Sequence, residues 1–242
     1  MSFMSASLLG INKRHLEPEL MDDLTLDEEL HLQALRGLER INTVSLTAET
    51  FWKPIKSFHL KNGRRPLRIL DIASGAGDIL TRLASKAHRE NLPFVFEGCD
   101  FNPRAAEYAN LRSKKQGLGV SYFVHDALKD PVPERFDIVI NSLFLHHLSE
   151  GALEPFFKTL QASRASLLLI CDLKRSLAGF LLAFVGTRLL SRSKIVHWDG
   201  PLSVRASFIT AEILGVIHSA GLPAPRVQSV WPERYLLSWQ RP

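Results

Sequence analysis

Residues 67–79, LRILDIASGAGDI, limit what this chain can fold into more than any other stretch. Leu67, Ile69, Leu70 and Ile72 form a short apolar run closing on Asp71-Ile72, the pattern of a buried parallel strand. Ala73, Ser74, Gly75, Ala76 and Gly77 follow as a loop of small residues. Beyond Asp78, the residues Ile79, Leu80, Leu83 and Ala84 fall on one helical face. The unit is strand, glycine loop, helix. Glycines in such a loop let the backbone turn sharply and let a ligand approach it closely. The helix start aims free N–H groups at that ligand.

Three ligand classes use this unit. A Walker-type phosphate loop needs a lysine after its second glycine, and none follows Gly77. A dinucleotide loop has a third glycine three residues on, where this chain has Leu80. Asp71 and Asp78 flank the loop and suit a cationic group better than a pyrophosphate. The stretch resembles motif I of the class I S-adenosylmethionine (SAM)-dependent methyltransferases, an acidic strand end followed by G-x-G. That resemblance implies SAM, which carries an ammonium and a sulfonium, as cofactor. A lone G-x-G also fits a plain strand-to-helix turn, so the rest of the chain decides.

From residue 67 the pattern alternates. Strands are expected at 67–72, 94–99, 120–124, 136–141 and 166–171, with helices running to about 89 and over 103–116 and 152–162. Residues 211–220 read as a helix, and 226–231 with 235–239 as a hairpin. Alternation of this kind predicts a right-handed, doubly wound, mainly parallel α/β sheet. The terminal hairpin matches the Rossmann-like methyltransferase sheet of seven strands. Ahead of the first strand, Thr25-Leu26-Asp27-Glu28 fits a capping box. It opens a helix with Leu30, Ala34, Leu35, Leu38 and Ile41 on one face, and a second helix over 46–58 turns Phe51, Trp52 and Ile55 inward. Residues 1–62 thus resemble the helical cap that many small-molecule methyltransferases fold over substrate, with packing on the sheet edge as the alternative. Residues 63–242 form the SAM-binding domain, with a helical insertion at about 174–208.

The resemblance extends to positions after successive strands. Asp100 follows the second strand, 23 residues after Gly77, where a carboxylate can accept from both ribose hydroxyls. Phe101 would lie on the adenine face, Asp126 would meet the adenine amino group, and Ala127 would line the same pocket. With Asp71, Ala73, Gly75, Gly77, Asp78 and Asn141 these make the expected cofactor site. Each acid also has an ordinary reading as a helix cap.

The fourth strand runs into Asn141-Ser142-Leu143-Phe144-Leu145-His146-His147-Leu148. No Asn-Pro-Pro-Tyr or Asp-Pro-Pro-Tyr occurs there, which counts against methylation of base or glutamine amino groups. The His-His-Leu ending is similar to small-molecule methyltransferases of the ubiquinone-biosynthesis type. Methyl transfer needs an in-line nucleophile, and a hydroxyl must lose its proton. Histidine titrates near neutrality, so His146 and His147 are candidate bases, unless one merely packs the next helix. His197 is a third, in a polar stretch 197–205 (HWDGPLSVR) expected to be a substrate-facing loop, with a plain turn N-capped by Ser203 as the alternative.

Residues 177–190 are dominated by Leu, Phe, Ala and Val, with Arg188, Arg192 and Lys194 at the far end. They are expected to line a pocket for an apolar or aromatic hydroxylated substrate. A core helix, or a helix lying weakly on a membrane surface, are the alternatives. The net charge is +5 with a pI near 9.4. That alone leaves a nucleic-acid methyltransferase as a rival, but no long basic run or added RNA-binding module supports it, and no nucleic-acid partner is expected. A nicotinamide-dependent oxidoreductase is disfavoured by Leu80 and the acidic loop. A SAM-binding protein without catalysis is disfavoured by the intact acids and histidines. No metal-ligand set stands out. Cys99 and Cys171 each lie inside apolar runs, as buried thiols in a reducing cytoplasm would. The first fifteen residues lack the basic-then-apolar pattern of a signal peptide.

Overall fold

The computed structural model describes residues 10–23 and 25–241. The first nine of the fifteen residues read for a signal peptide lie outside the described residues. Two helices precede the sheet, α1 (Glu28–Val44) and α2 (Thr47–Lys61). The capping box is corrected: Asp27 is the N-cap of α1 and accepts from Leu30 N, while the Thr25 hydroxyl donates to Asp23. Phe51, Trp52 and Ile55 of α2 are buried as expected.

The alternating part reads β1 (Leu67–Ile72), α3 (Asp78–Arg89), β2 (Phe94–Asp100), α4 (Pro103–Gln116), β3 (Ser121–Val124), β4 (Ile138–Ser142), α5 (Glu150–Ala162) and β5 (Leu167–Leu173). After it come α6 (Leu177–Leu190), α7 (Lys194–Ala206), α8 (Thr210–Ser219), β6 (Arg226–Val230) and β7 (Arg234–Gln240). The seven strands form one sheet in the order β3-β2-β1-β4-β5-β7-β6. The first five are parallel, and β7 is antiparallel to both β5 and β6.

Both faces of the sheet are covered, which is why its strands read as continuous apolar runs rather than alternating ones. Ile69 and Ile138 point into one cluster with Phe51, Ile55, Leu80 and Leu83. Their neighbours Leu70 and Val139 point into the other, with Phe156, Phe157 and Ile213. Strand order reverses between β1 and β4, where Ile72 pairs with Asn141. Crevices at such switch points, beyond the carboxyl ends of the strands, are where parallel sheets bind ligands.

The strand ends shift from expectation by a residue or two. The consequential shift is in β5, which continues through Leu173 and so carries Asp172 within the strand, fully buried. The reading of 197–205 as a loop is corrected too. Those residues lie inside α7, where Ser193 caps the first turn and Ile195, Val196, Leu202 and Val204 are buried. Gly200-Pro201 looked like a turn, but the apolar face and the cap outweigh it.

Candidate active site

A cavity of about 530 Å³ opens over the carboxyl ends of the strands on either side of the switch point. One wall is the glycine loop and the loops after β2 and β3. Ala73, Gly75 and Asp78 line it, together with Asp100, Phe101, Asp126 and Ala127. The Asp100 carboxylate accepts from Gly75 N at 2.8 Å and from Asn102 N at 2.9 Å, so it pins the glycine loop while facing the cavity. Phe101 is 48% exposed along the rim. Asp126 accepts from Leu128 N and pairs with Lys129 at 2.8 Å, which holds its carboxyl below the usual range. A side chain at Gly75 would meet nothing, leaving that position open to a ligand.

The remaining expected cofactor residues stand behind this wall. Gly77 adopts φ +69°, and a Cβ there would strike the Tyr122 ring, whose hydroxyl donates to Gly77 O at 3.0 Å. Its missing side chain makes room for a buried tyrosine, where the expectation gave that room to a ligand. Asn141 donates from Nδ2 to Ile72 O at 2.8 Å and braces β1 against β4. Asp71 is buried, and neither of its carboxylate oxygens has a hydrogen-bond partner among the described residues. Burial pushes the carboxyls of Asp71, Asp78 and Asp100 up, and the mutual charge of Asp78 and Asp100 adds to that of Asp71. Three buried acids with raised values around an open glycine position favour a cationic ligand.

The other wall is made from distant parts of the chain. Leu143, Phe144, His147 and Leu148 follow β4, and Glu19, Met21 and Asp22 come from the segment before α1. His147 Nδ1 donates to Asp22 at 2.9 Å, and His146 Nδ1 donates to Asp172 at 2.6 Å. The two rings lie 4.4 Å apart. Burial alone would lower His147, but the Asp22 bond and the charges of Glu19, Asp22 and Asp172 raise it to about 9. Burial would raise Asp172, but the adjoining His146 holds it below the usual range. Glu19 is held by the Ser203 hydroxyl at 2.5 Å. Leu20 N and Met21 N donate to Asp199, and Arg14 donates to Leu148 O at 2.6 Å. The N-terminal segment is thus tied across the cavity from both α7 and the His-His turn. Burial lifts Asp199 to about 6.

His197 does not join this wall. Its Nε2 donates to Ser191 O at 2.8 Å across the α6–α7 connection, and it is absent from the cavity lining. The expectation for α6 is corrected as well. None of its residues lines the cavity, and Leu181, Leu182, Phe184, Val185 and Leu189 are exposed. Glu19, Asp22, Tyr122 and Asp199 were missed. The acid-rich Glu17-Pro18-Glu19-Leu20-Met21-Asp22-Asp23 was the available signal for the first two.

Residues 69–163 match the family described as "Methyltransferase domain". The match places a methyltransferase domain at residues 69–163 of this chain. Its sequence is 29% identical over 164 residues to a ubiquinone biosynthesis O-methyltransferase of Methylococcus capsulatus, covering 60% of this chain and 65% of that one. It is 32% identical over 97 residues to a demethylmenaquinone methyltransferase of Thermus thermophilus, covering 40% and 42%. In both cases the match spans less than two thirds of the relative's length. A SAM-dependent methyltransferase of Aquifex aeolicus shares the fold at TM-score 0.55 and 23% identity, covering 77% of this chain and 86% of that one. The cofactor of such a domain is SAM, and the unpartnered Asp71 and Ser74 side chains with the open Gly75 fit a cationic amino acid group. Among the described residues no helix is long and apolar enough to cross a membrane.

Proposed function

We propose that this protein methylates an oxygen of a small, apolar or aromatic hydroxylated molecule. The observation that carries the reading is a single cavity with the cation-favouring glycine loop on one wall and the His146–His147 pair on the other. When bound, SAM supplies a methyl group on a sulfonium whose thioether leaves without acid help. Asp100 would hold the ribose hydroxyls, with Phe101 and Ala127 at the adenine and Asp71 and Asp78 near the charged end. Phe144 and Leu148 give the acceptor apolar contact. His147 faces the acceptor and takes the hydroxyl proton in its neutral form, which its raised value of about 9 makes dominant only at alkaline pH, and His146, fixed by Asp172, positions it. Glu19 and Asp22 close this side and exclude water. Residues 1–62 act as a cap over the acceptor and 174–208 as an inserted helical pair.

Incubation with methyl-labelled SAM and a panel of phenols and hydroxylated quinones tests this, with the methyl position read by mass spectrometry and NMR. An O-methyl product is expected. Label on carbon or nitrogen, or label only in RNA, overturns the oxygen assignment.

The exposed apolar side of α6 supports a second, weaker contact, with an anionic membrane surface. From Lys174 to Trp198 the chain carries no Asp or Glu, while Arg188, Arg192 and Lys194 are exposed.

A further inference from the structure

Glu19, His146 and His147 offer one carboxylate oxygen and two imidazole nitrogens that all lie within 4.8 Å of one another. We infer that these three side chains bind a divalent transition-metal cation, zinc(II) by preference, on the acceptor wall of the cavity. Its catalytic use rests on the oxygen-acceptor reading above. Its existence does not.

The geometry is already close. His146 Nε2 is 3.6 Å from one Glu19 oxygen, and His147 Nε2 is 3.9 Å from the other. Ligands at about 2.0–2.1 Å from a tetrahedral zinc stand roughly 3.3–3.5 Å apart, so each imidazole is within a few tenths of an ångström of that spacing from a Glu19 oxygen, and the full set would close from within 4.8 Å. The backs of the two rings are the stronger observation. Each Nδ1 donates to its own carboxylate, His146 to Asp172 at 2.6 Å and His147 to Asp22 at 2.9 Å. A carboxylate behind each histidine fixes the tautomer and aims Nε2 forward, which is how metal-binding histidines are held. Glu19 is oriented in turn by the Ser203 hydroxyl at 2.5 Å.

Charge agrees. Three carboxylates, Glu19, Asp22 and Asp172, surround two imidazoles in this partly enclosed corner. Two nitrogen ligands and one oxygen select a first-row transition metal over magnesium or calcium, which take oxygen. Three protein ligands leave a coordination position open, as catalytic zinc sites do. Glu19 and His147 line the cavity, so that position faces the acceptor. With the ion bound, His147 would be a ligand and not the base, and a hydroxyl ligating the ion there would release its proton to water. Its oxygen would then form the new O–C bond as the donor's S–C bond breaks, with sulfur keeping the electron pair.

The test uses untagged, chelator-stripped full-length protein, dialysed against zinc(II) alone and then cobalt(II) alone. One equivalent of zinc per chain by elemental analysis is expected, with a visible cobalt spectrum of low coordination number. Glu19→Gln and His147→Ala should each weaken binding at least tenfold, with folding checked by circular dichroism. The buried His146 is left intact because its loss could unfold the chain. Less than a tenth of an equivalent on the wild type, or equal binding by both variants, overturns the site. If the stripped protein methylates hydroxyls at an unchanged rate, the ion's catalytic use falls while the oxygen-acceptor reading stands. If zinc binds stoichiometrically and no hydroxyl is ever methylated, the site stands and that reading falls.

Discussion

The donor wall takes its groups from three successive loops, at residues 73–78, 100–102 and 125–128, each directly after a parallel strand. The acceptor wall takes Glu19 and Asp22 from ahead of α1, His146 and His147 from behind β4, Asp172 from β5, and Asp199 and Ser203 from α7. The first wall is local, and its backbone donors are set by the strand-to-helix turns themselves. The second exists only once the chain has folded back on itself, and long-range hydrogen bonds hold it. A substitution on the donor wall should therefore move cofactor affinity or fold stability, and one on the acceptor wall should move turnover.

The largest effect is expected at His147. Above pH 9, where His147 is neutral, His147→Ala should lower turnover by about 10²–10⁴-fold, the usual contribution of a positioned general base. SAM affinity should stay near wild type, because His147 faces the acceptor side. Equal turnover in His147→Ala and wild type above pH 9 would show that the histidines only pack this wall, and the contrast between the walls would collapse.

The two loop glycines separate fold from ligand within the donor wall. Gly77→Ala places a Cβ 2.3 Å from the Tyr122 hydroxyl and keeps an unfavourable positive φ. Overpacking and the left-handed backbone together should cost about 2–4 kcal/mol, measured by urea unfolding. Gly75→Ala also has a positive φ but meets nothing, so its stability cost should stay near 1–2 kcal/mol. Its main effect should be on SAM affinity. If Gly75→Ala destabilises as much as Gly77→Ala, the assignment of one glycine to Tyr122 and the other to the ligand is wrong.

This pair also shows what the sequence could reveal. The strand, the glycine loop and Asp100 were legible because each is written in a few consecutive residues with a fixed period. The seven-stranded order followed from alternation and the terminal hairpin. The role of Gly77 was not legible, because Tyr122 reaches it from 45 positions away. Glu19 and Asp22 sit in a segment with no periodicity, and long-range bonds to Asp199, Ser203, His147 and Leu148 give it a fixed path. The stretch 197–205 misled because Gly200-Pro201 and several polar side chains imitate a loop. In the folded chain Asp199 and Ser203 lie one helical turn apart and bind the N-terminal segment.

Asp100 should give the next effect. Asp100→Ala removes a charged acceptor of two hydroxyls and the anchor of Gly75 N. Such bonds are worth roughly 1.5–3 kcal/mol each, so SAM affinity by calorimetry should fall on the order of tenfold or more. Acidification should reproduce part of this loss. Burial raises Asp71, Asp78 and Asp100, so they protonate at a pH above the ordinary carboxylate range. A raised folded-state value means that the folded chain binds those protons more tightly than the unfolded one. Through that window the three acids should therefore favour the fold as pH falls, while SAM affinity weakens. His31 and Asp22 also face Asp100 and act on it in opposite directions. SAM affinity flat down to the ordinary carboxylate range would remove the electrostatic account of the donor wall.

The smallest effect is expected outside both walls, on α6. Leu181 and Phe184 are exposed at 51% and 43%, and the neighbouring Trp198 at 63%. A helix of this kind, with Arg188, Arg192 and Lys194 toward one end, binds an anionic interface by shallow burial plus charge attraction. Flotation with anionic vesicles should carry part of the wild type upward, and raised salt should reduce that part. Leu181→Ser with Phe184→Ser removes two apolar anchors, each worth at most about 1.5–3 kcal/mol when fully buried. The double variant should float less, yet keep its SAM affinity and unfolding midpoint, because neither residue lines the cavity. Equal flotation of variant and wild type would mean that the basic residues alone attract the vesicle. Loss of SAM affinity would instead mean that α6 supports the donor wall through α1, against which it packs and whose Asn42 donates to Asp78.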